Sequence, residues 1–209
     1  MTDYKLKLDA LTKFFGRRLV FQKLSIEYTG CGIYGISGPN GSGKSTLLKI
    51  ISGISSPSKG AITHSLGDKK IDIDNIHEHI GFVSPYLVLY EEFSCRENIE
   101  IFSKIRGIKP DPDHIDSLLN LFGLTERQND LLKFYSSGMK QRMKFIFAFL
   151  HKPELLILDE PTENLDYEGK DKTYELIKNY SADNIVIIAS NEESDLKLCG
   201  QAINLLDYK

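Results

Sequence analysis

Apolar and polar residues alternate from Tyr4 to Phe15, from Arg18 to Tyr28 and through CGIYGIS (31–37), a period of two that predicts three strands punctuated by Gly16, Gly30 and Gly32. The period then changes. KSTLLKIISG (44–53) has helical spacing and ends at Gly53, and SSPSKGAI (55–62) reads as a turn leading into another strand. From about Arg96 to Leu150 the pattern is helical, in RENIEIFSKIRG, DHIDSLLNLFG, ERQNDLLKF and GMKQRMKFIFAFL, with Pro110 and Pro112 marking a loop between the first two. ELLILDE (154–160) suits a strand buried on both faces. A helix from about Tyr167 to Tyr180 and the strand NIVIIAS (184–190) follow. This succession predicts a parallel α/β core in one domain, residues 1–209, in which 1–94 and 151–209 form the core and 95–150 a helical insert.

Composition narrows the partners. At 41% hydrophobic residues the chain has the material for a sizeable core, and a formal net charge of −3 with interspersed signs leaves no basic field, so no nucleic-acid partner is expected. The N-terminus has no basic segment followed by an apolar one, and runs such as FIFAFL and LLIL are too short to cross a bilayer, which leads us to expect a soluble, cytoplasmic protein. Cys31, Cys95 and Cys199 are scattered and read as reduced, packed thiols. His77 and His79 in IHEHI, two apart on an expected strand, lack a visible third ligand and read as a solvated face.

The chemistry is concentrated in three segments. GPNGSGKST comprises Gly38, Pro39, Asn40, Gly41, Ser42, Gly43, Lys44, Ser45 and Thr46 and matches G-x-x-x-x-G-K-[ST] between an apolar strand and a helix. In such a loop Gly41 and Gly43 let backbone N–H groups curl around phosphate oxygens, Lys44 neutralises the β and γ phosphates, and the Ser45 hydroxyl ligates Mg²⁺. LLILDE ends a buried strand with two carboxylates: Asp159 to hold the metal shell and Glu160 to accept a proton from an attacking water. FYSSGMKQRM (134–143) opens a helix with Ser136, Ser137 and Gly138, where free N–H groups and hydroxyls at the positive end of the dipole make a seat for an anion.

GPNGSGKST, YSSGMKQR and LLILDEPTENLD, in that order over nearly the whole chain, resemble the ATP-binding cassette (ABC) ATPases, the nucleotide-binding subunits of the transporters of that name. The resemblance implies a P-loop NTPase with a mostly parallel core sheet, an N-terminal antiparallel β subdomain and an inserted α-helical subdomain. It implies ATP and Mg²⁺ as cofactors, and an ATPase that drives transport through a separate membrane permease, at the inner face of the membrane. It also implies a second ATPase subunit, identical or not: each Ser-Gly signature caps the γ-phosphate held by the other copy. Phe15 falls where an aromatic stacks on adenine, with a core Phe as the alternative, and Asp166 of ENLD falls in a loop that crosses the dimer interface.

Three positions depart from the family pattern. Pro85 stands where a Gln touches Mg²⁺ and water, leaving Ser84 or Tyr86 as substitutes. Asn191 stands where a His contacts the γ-phosphate, and Met139 replaces the final Gln of the signature. Pro has no side-chain donor, and Asn cannot take up charge near neutral pH. The departures at Pro85 and Asn191 keep open a slowly hydrolysing half of a heterodimer; a nucleotide-gated clamp unconnected with transport is a separate alternative. The segment SPYLVLYEEF (84–93), within a region from 82 to 100 expected to transmit motion to the permease, offers apolar and aromatic positions for a partner's helix or for internal packing.

Overall fold

The computed structural model describes residues 2–109 and 111–209. Two sheets share one α-helix between them. Strands β1 (Tyr4–Phe15), β2 (Arg18–Thr29), β4 (Lys59–Leu66) and β5 (Lys69–Lys70) form an antiparallel sheet in the order β2-β1-β4-β5. Strands β3 (Gly32–Ser37), β6 (Ile80–Val83), β7 (Leu155–Asp159), β8 (Ile185–Ala189) and β9 (Gln201–Asn204) form a wholly parallel sheet in the order β6-β7-β8-β3-β9.

Helix α1 (Lys44–Ile51) buries Leu47, Leu48, Ile50 and Ile51 between the sheets. The central strands β7 and β8 are buried at every position, and their period-two geometry divides them between two cores. Leu155 and Ile157 face α1 and the antiparallel sheet. Leu156 and Leu158 face the other core, built mainly by α2 (Cys95–Arg106), α3 (Pro112–Leu121) and α4 (Ser137–Phe149). Helix α5 (Tyr167–Ser181) packs Ile177 into that second core, and a short α6 (Glu193–Leu196) precedes β9.

Helix boundaries follow the capping chemistry. Ser94 and Glu97 form a reciprocal capping box at α2, which stops at Gly107 in the left-handed region. Pro112, expected in a loop, is instead the first residue of α3, where its missing N–H costs nothing and Asp111 caps; Pro110 lies outside the described residues. ERQNDLLKF was expected to be helical and is not. It contains only two short 3₁₀ turns, because its backbone amides are committed elsewhere: Leu132 N–H donates to Phe93 O (3.0 Å) and Lys133 N–H to Glu91 O (3.0 Å). His77 and His79 lie in and after a 3₁₀ turn (Ile76–Glu78), not on a strand; His79 Nδ1 meets Glu154 Oε2 at 3.0 Å. All three cysteines are free. No helix among the described residues is long and apolar enough to cross a membrane.

Candidate functional site

Parallel strands deliver their C-terminal ends to one edge of a sheet, and three of them meet here. From β3 the chain enters the glycine loop, from β7 it delivers Asp159 and Glu160, and from β8, which lies between them, it delivers Ser190 and Asn191. Backbone bonds tie these ends together: Glu160 N–H donates to Ala189 O (2.9 Å) and Ser190 N–H to Ile36 O (3.2 Å).

The glycine loop wraps tightly. Gly43, at φ 112°, precedes the first residue of α1, and a Cβ there would lie 2.4 Å from Val20 Cγ1. Such a left-handed position against a packed neighbour requires glycine. No side chain caps α1, so its first N–H groups remain open to an anion. The loop borders a cleft of about 680 Å³ whose lining includes Asn40 through Thr46, Phe15, Pro85, Asp159 and Glu160.

Lys44 is buried at 6% exposure; its Nζ donates to Gly38 O at 2.8 Å and stands 3.4 Å from Glu160 Oε1. The other Glu160 oxygen accepts from Ser190 Oγ (3.0 Å), a hydroxyl with no solvent exposure. Glu160 itself has φ 48°, a strained backbone for a non-glycine residue. Its carboxylate is therefore held from two sides by an ammonium and a hydroxyl. Asp159 is 1% exposed, and neither of its oxygens has a hydrogen-bond partner of normal geometry. Burial pushes its carboxyl above the usual range, the Ser45 hydroxyl pulls the other way, and Glu160 pushes it up again.

A buried carboxylate with two unpartnered oxygens beside a serine hydroxyl fits a small, hard cation. No cluster of three or more His, Cys, Asp or Glu residues capable of holding a metal occurs among the described residues. One carboxylate and one hydroxyl match the one or two protein ligands that a cation such as Mg²⁺ takes when water and phosphate complete its shell.

Other predicted residues sit around this centre. Asn191 Nδ2 donates to Asn40 Oδ1 at 3.2 Å, bringing β8's end onto the glycine loop. Pro39 O accepts from Ser42 N–H (3.0 Å) within the loop. Phe15 is 56% exposed at the cleft, with Lys13 Nζ 5.0 Å from its ring centroid, so it is not a core residue. Ser84 Oγ accepts from Tyr86 N–H (3.2 Å), which turns it toward its own backbone, whereas Tyr86 lines the cleft under Lys49 (4.8 Å). In 84–93, Leu89 is buried, the internal packing expected of that segment, while Tyr86, Val88, Tyr90 and Phe93 are exposed.

Ser136, Ser137 and Gly138 are elsewhere. They border a second cavity of about 670 Å³ with Arg142, Asn164 and Asp166. The Ser136 Oγ caps α4 by accepting from Met139 N–H (3.2 Å), and Asp166 caps α5 by accepting from Gly169 N–H (2.8 Å). Four residues at the first cleft or its carboxylate carried no local signal in the sequence: Arg18, Val20, Lys209 and Ser190. Lys209 Nζ donates to Val20 O (2.8 Å) and Ser42 O (3.0 Å), a contact across 167 residues of chain that no motif marks.

Comparison with known proteins agrees with this geometry. A family model described as "ABC transporter" matches residues 21–163. YdbJ of Bacillus subtilis, an uncharacterized ABC transporter ATP-binding protein, is 34% identical over 81% of this chain and 54% of its own length. The bacitracin transport ATP-binding protein BcrA of Enterococcus faecalis is 29% identical over 98% of this chain and 67% of its own. The chain thus spans between about half and two thirds of these relatives. Among solved structures, an ABC transporter ATP-binding protein from Pyrococcus furiosus superposes with a TM-score of 0.83 at 26% identity, covering 98% of this chain and 99% of that one.

Proposed function

The chain belongs to the ABC transporter family, and from that premise we propose that it binds and hydrolyses ATP to drive transport through a separate membrane-spanning protein. The observation that carries the hydrolytic part is Glu160, fixed between Lys44 and Ser190 beside an unpartnered, buried Asp159.

In this reading the glycine loop and the start of α1 bind the triphosphate with backbone N–H groups, and Lys44 balances charge on its terminal phosphates. Phe15 offers a ring face for the base, and Asn191, held by Asn40, offers an amide donor near the terminal phosphate. Glu160 accepts a proton from the attacking water, its carboxylate oriented by Ser190. Ser45 and Asp159 would hold Mg²⁺, which neutralises phosphate charge when bound.

The second cavity supports a partner copy in this reading. Ser136, Ser137 and Gly138 border a cavity that shares no residue with the phosphate cleft. Two copies, or this chain and a similar one, facing head to tail would set each serine mouth over the other's cleft, with the Asp166 loop at the junction. We assign residues 95–150 to a helical subdomain, and the exposed face of 84–93 to the membrane protein, which would hold the chain at the inner face of the membrane.

Glu160→Gln tests the assignment: ATP binding should persist while phosphate release falls, and unchanged release would remove Glu160 from catalysis. Pro85 at the cleft favours a second reading, a slow half of a heterodimer. In that case the purified chain turns over little alone and faster with a second cassette. Purification with and without detergent separates both from a clamp: an integral membrane protein should co-purify.

A further inference from the structure

Helix α4 begins at the serine mouth, yet one of its faces bonds to backbone in and beside the wall of the phosphate cleft. Gln141 Nε2 donates to the carbonyl of Pro161, the residue after Glu160, at 3.1 Å and is buried. Three residues further on, and therefore on the same face, Lys144 Nζ donates to Pro85 O at 3.0 Å. Pro85 lines the cleft and has neither an N–H nor a polar side chain, so its carbonyl is the only polar handle by which another element can grip it. Glu163, also lining the cleft, is the charge that acts on the Lys144 ammonium, opposing the effect of its partial burial.

The wall that Pro85 belongs to is gripped from the other side as well. Tyr86 lies under the ammonium of Lys49 on α1, the helix that continues the glycine loop. Thus 85–86 is pinned between the helix that starts at the phosphate loop and the helix that starts at the serine mouth. Two other lysines repeat the connection farther out, Lys140 to Glu91 (2.5 Å) and Lys133 to Glu92 (2.9 Å), but their carboxylates are more than half exposed and such pairs contribute little. Lys144 differs in its acceptor: it bonds to a carbonyl that has no competing donor in the described contacts.

We propose that Lys144 is a positioning residue that couples the phosphate cleft to the serine mouth, by fastening the Pro85–Tyr86 wall onto α4. A change at the cleft wall then moves α4 as a rigid rod, and with it Ser136–Gly138; without the bond the wall and the helix move independently. The proposal rests on the reading of the cleft as an ATP site.

The test uses the full chain with Lys144→Met and Lys144→Arg, each checked for an unchanged melting temperature. Three quantities are measured: affinity of a fluorescent ATP analogue for the isolated chain, kcat and KM for ATP, and ATP-driven self-association in a Glu160→Gln background. Lys144→Met should leave analogue affinity and KM within about twofold and lower kcat and self-association about tenfold, the scale of one lost charge-assisted hydrogen bond. Lys144→Arg should recover most of both. Turnover and association like those of the parent in Lys144→Met would overturn the proposal, as would equal loss in both variants together with a lowered melting temperature. A parent chain that binds no ATP would fail the ATP reading itself and take this proposal with it, whereas the variant outcomes bear on the proposal alone.

Discussion

The phosphate cleft and the serine mouth are built by opposite means. The cleft collects strand ends and closes over charged groups taken out of water, with Lys44 and Asp159 almost fully buried. The mouth is the open start of a helix, with Ser136 and Ser137 exposed and the Ser136 hydroxyl turned back to cap its own backbone. Buried Lys44 is matched inside the chain by Gly38 O and Glu160, which fixes that side of the cleft, and Asp159 is left for a ligand to match; the exposed mouth holds no buried charge and is free to meet another molecule. Substitutions in the cleft should therefore alter chemistry and folding together, while those in the mouth should alter function at a smaller cost in folding, the helix cap of Ser136 being the main one.

The largest effect is expected at Glu160. Glu160→Gln should lower turnover by about 10² to 10⁴ while nucleotide binding persists, measured by phosphate release and by binding of a fluorescent ATP analogue. Retained turnover would break the contrast at its centre.

Acid should act next, and on the scaffold that both sites share. Burial lowers His64, bonded through Nδ1 to Tyr4 OH (2.7 Å), to about 4, and lowers His151, bonded to Ile80 O (3.0 Å), also to about 4. Both folded values lie below the ordinary 6.5, so between 6.5 and 4 the unfolded chain binds more protons and stability falls as pH is lowered through that window. The loss is on the order of 3 kcal/mol per histidine at most. Urea midpoints at pH 7 and pH 4.5 measure it, and His64→Gln should flatten part of the slope.

Alanine at two glycines sharpens the contrast. Gly43→Ala places a Cβ 2.4 Å from Val20 at a left-handed φ and should cost about 1–3 kcal/mol of stability as well as nucleotide binding. Gly138→Ala meets nothing closer than 3.7 Å. It should leave stability within about 0.5 kcal/mol or raise it slightly, while impairing turnover and ATP-driven association. Denaturation and turnover measured on the same two variants decide the matter.

Ser136→Ala should cost about 1 kcal/mol through loss of its cap on α4. The smallest effect is expected at Asn191→His, where turnover should stay similar or rise; a collapse would give Asn191 an active role of its own through its bond to Asn40.

Much of this architecture was legible because it is local. Alternation marked β1, β2 and β3, continuous apolar runs marked β7 and β8, and the glycine spacing of 38–46 reported a backbone path that few other residues can follow. The failures share one cause. ERQNDLLKF has helical spacing, but the strand-like segment before α2 claims its amides, and that segment lies some forty residues earlier in the chain. Strand β9 is four residues long and is recognised only by its pairing with β3. Ser190 reads as the end of a strand until β7 brings Glu160 to its hydroxyl.

By itself, then, the amino-acid order determined most of the strands and helices, where the glycine loop must bend, and which residue types stand at each bend, since these depend on neighbours within a turn or two of chain. Only the tertiary structure decided that the strand ends of β3, β7 and β8 converge, that Lys44, Glu160 and Ser190 share one carboxylate, and that the serine mouth opens into a different cavity. The reason is physical. Burial and hydrogen bonding between distant segments act only once the sheet has set their order, and neither quantity is a property of any short stretch of sequence.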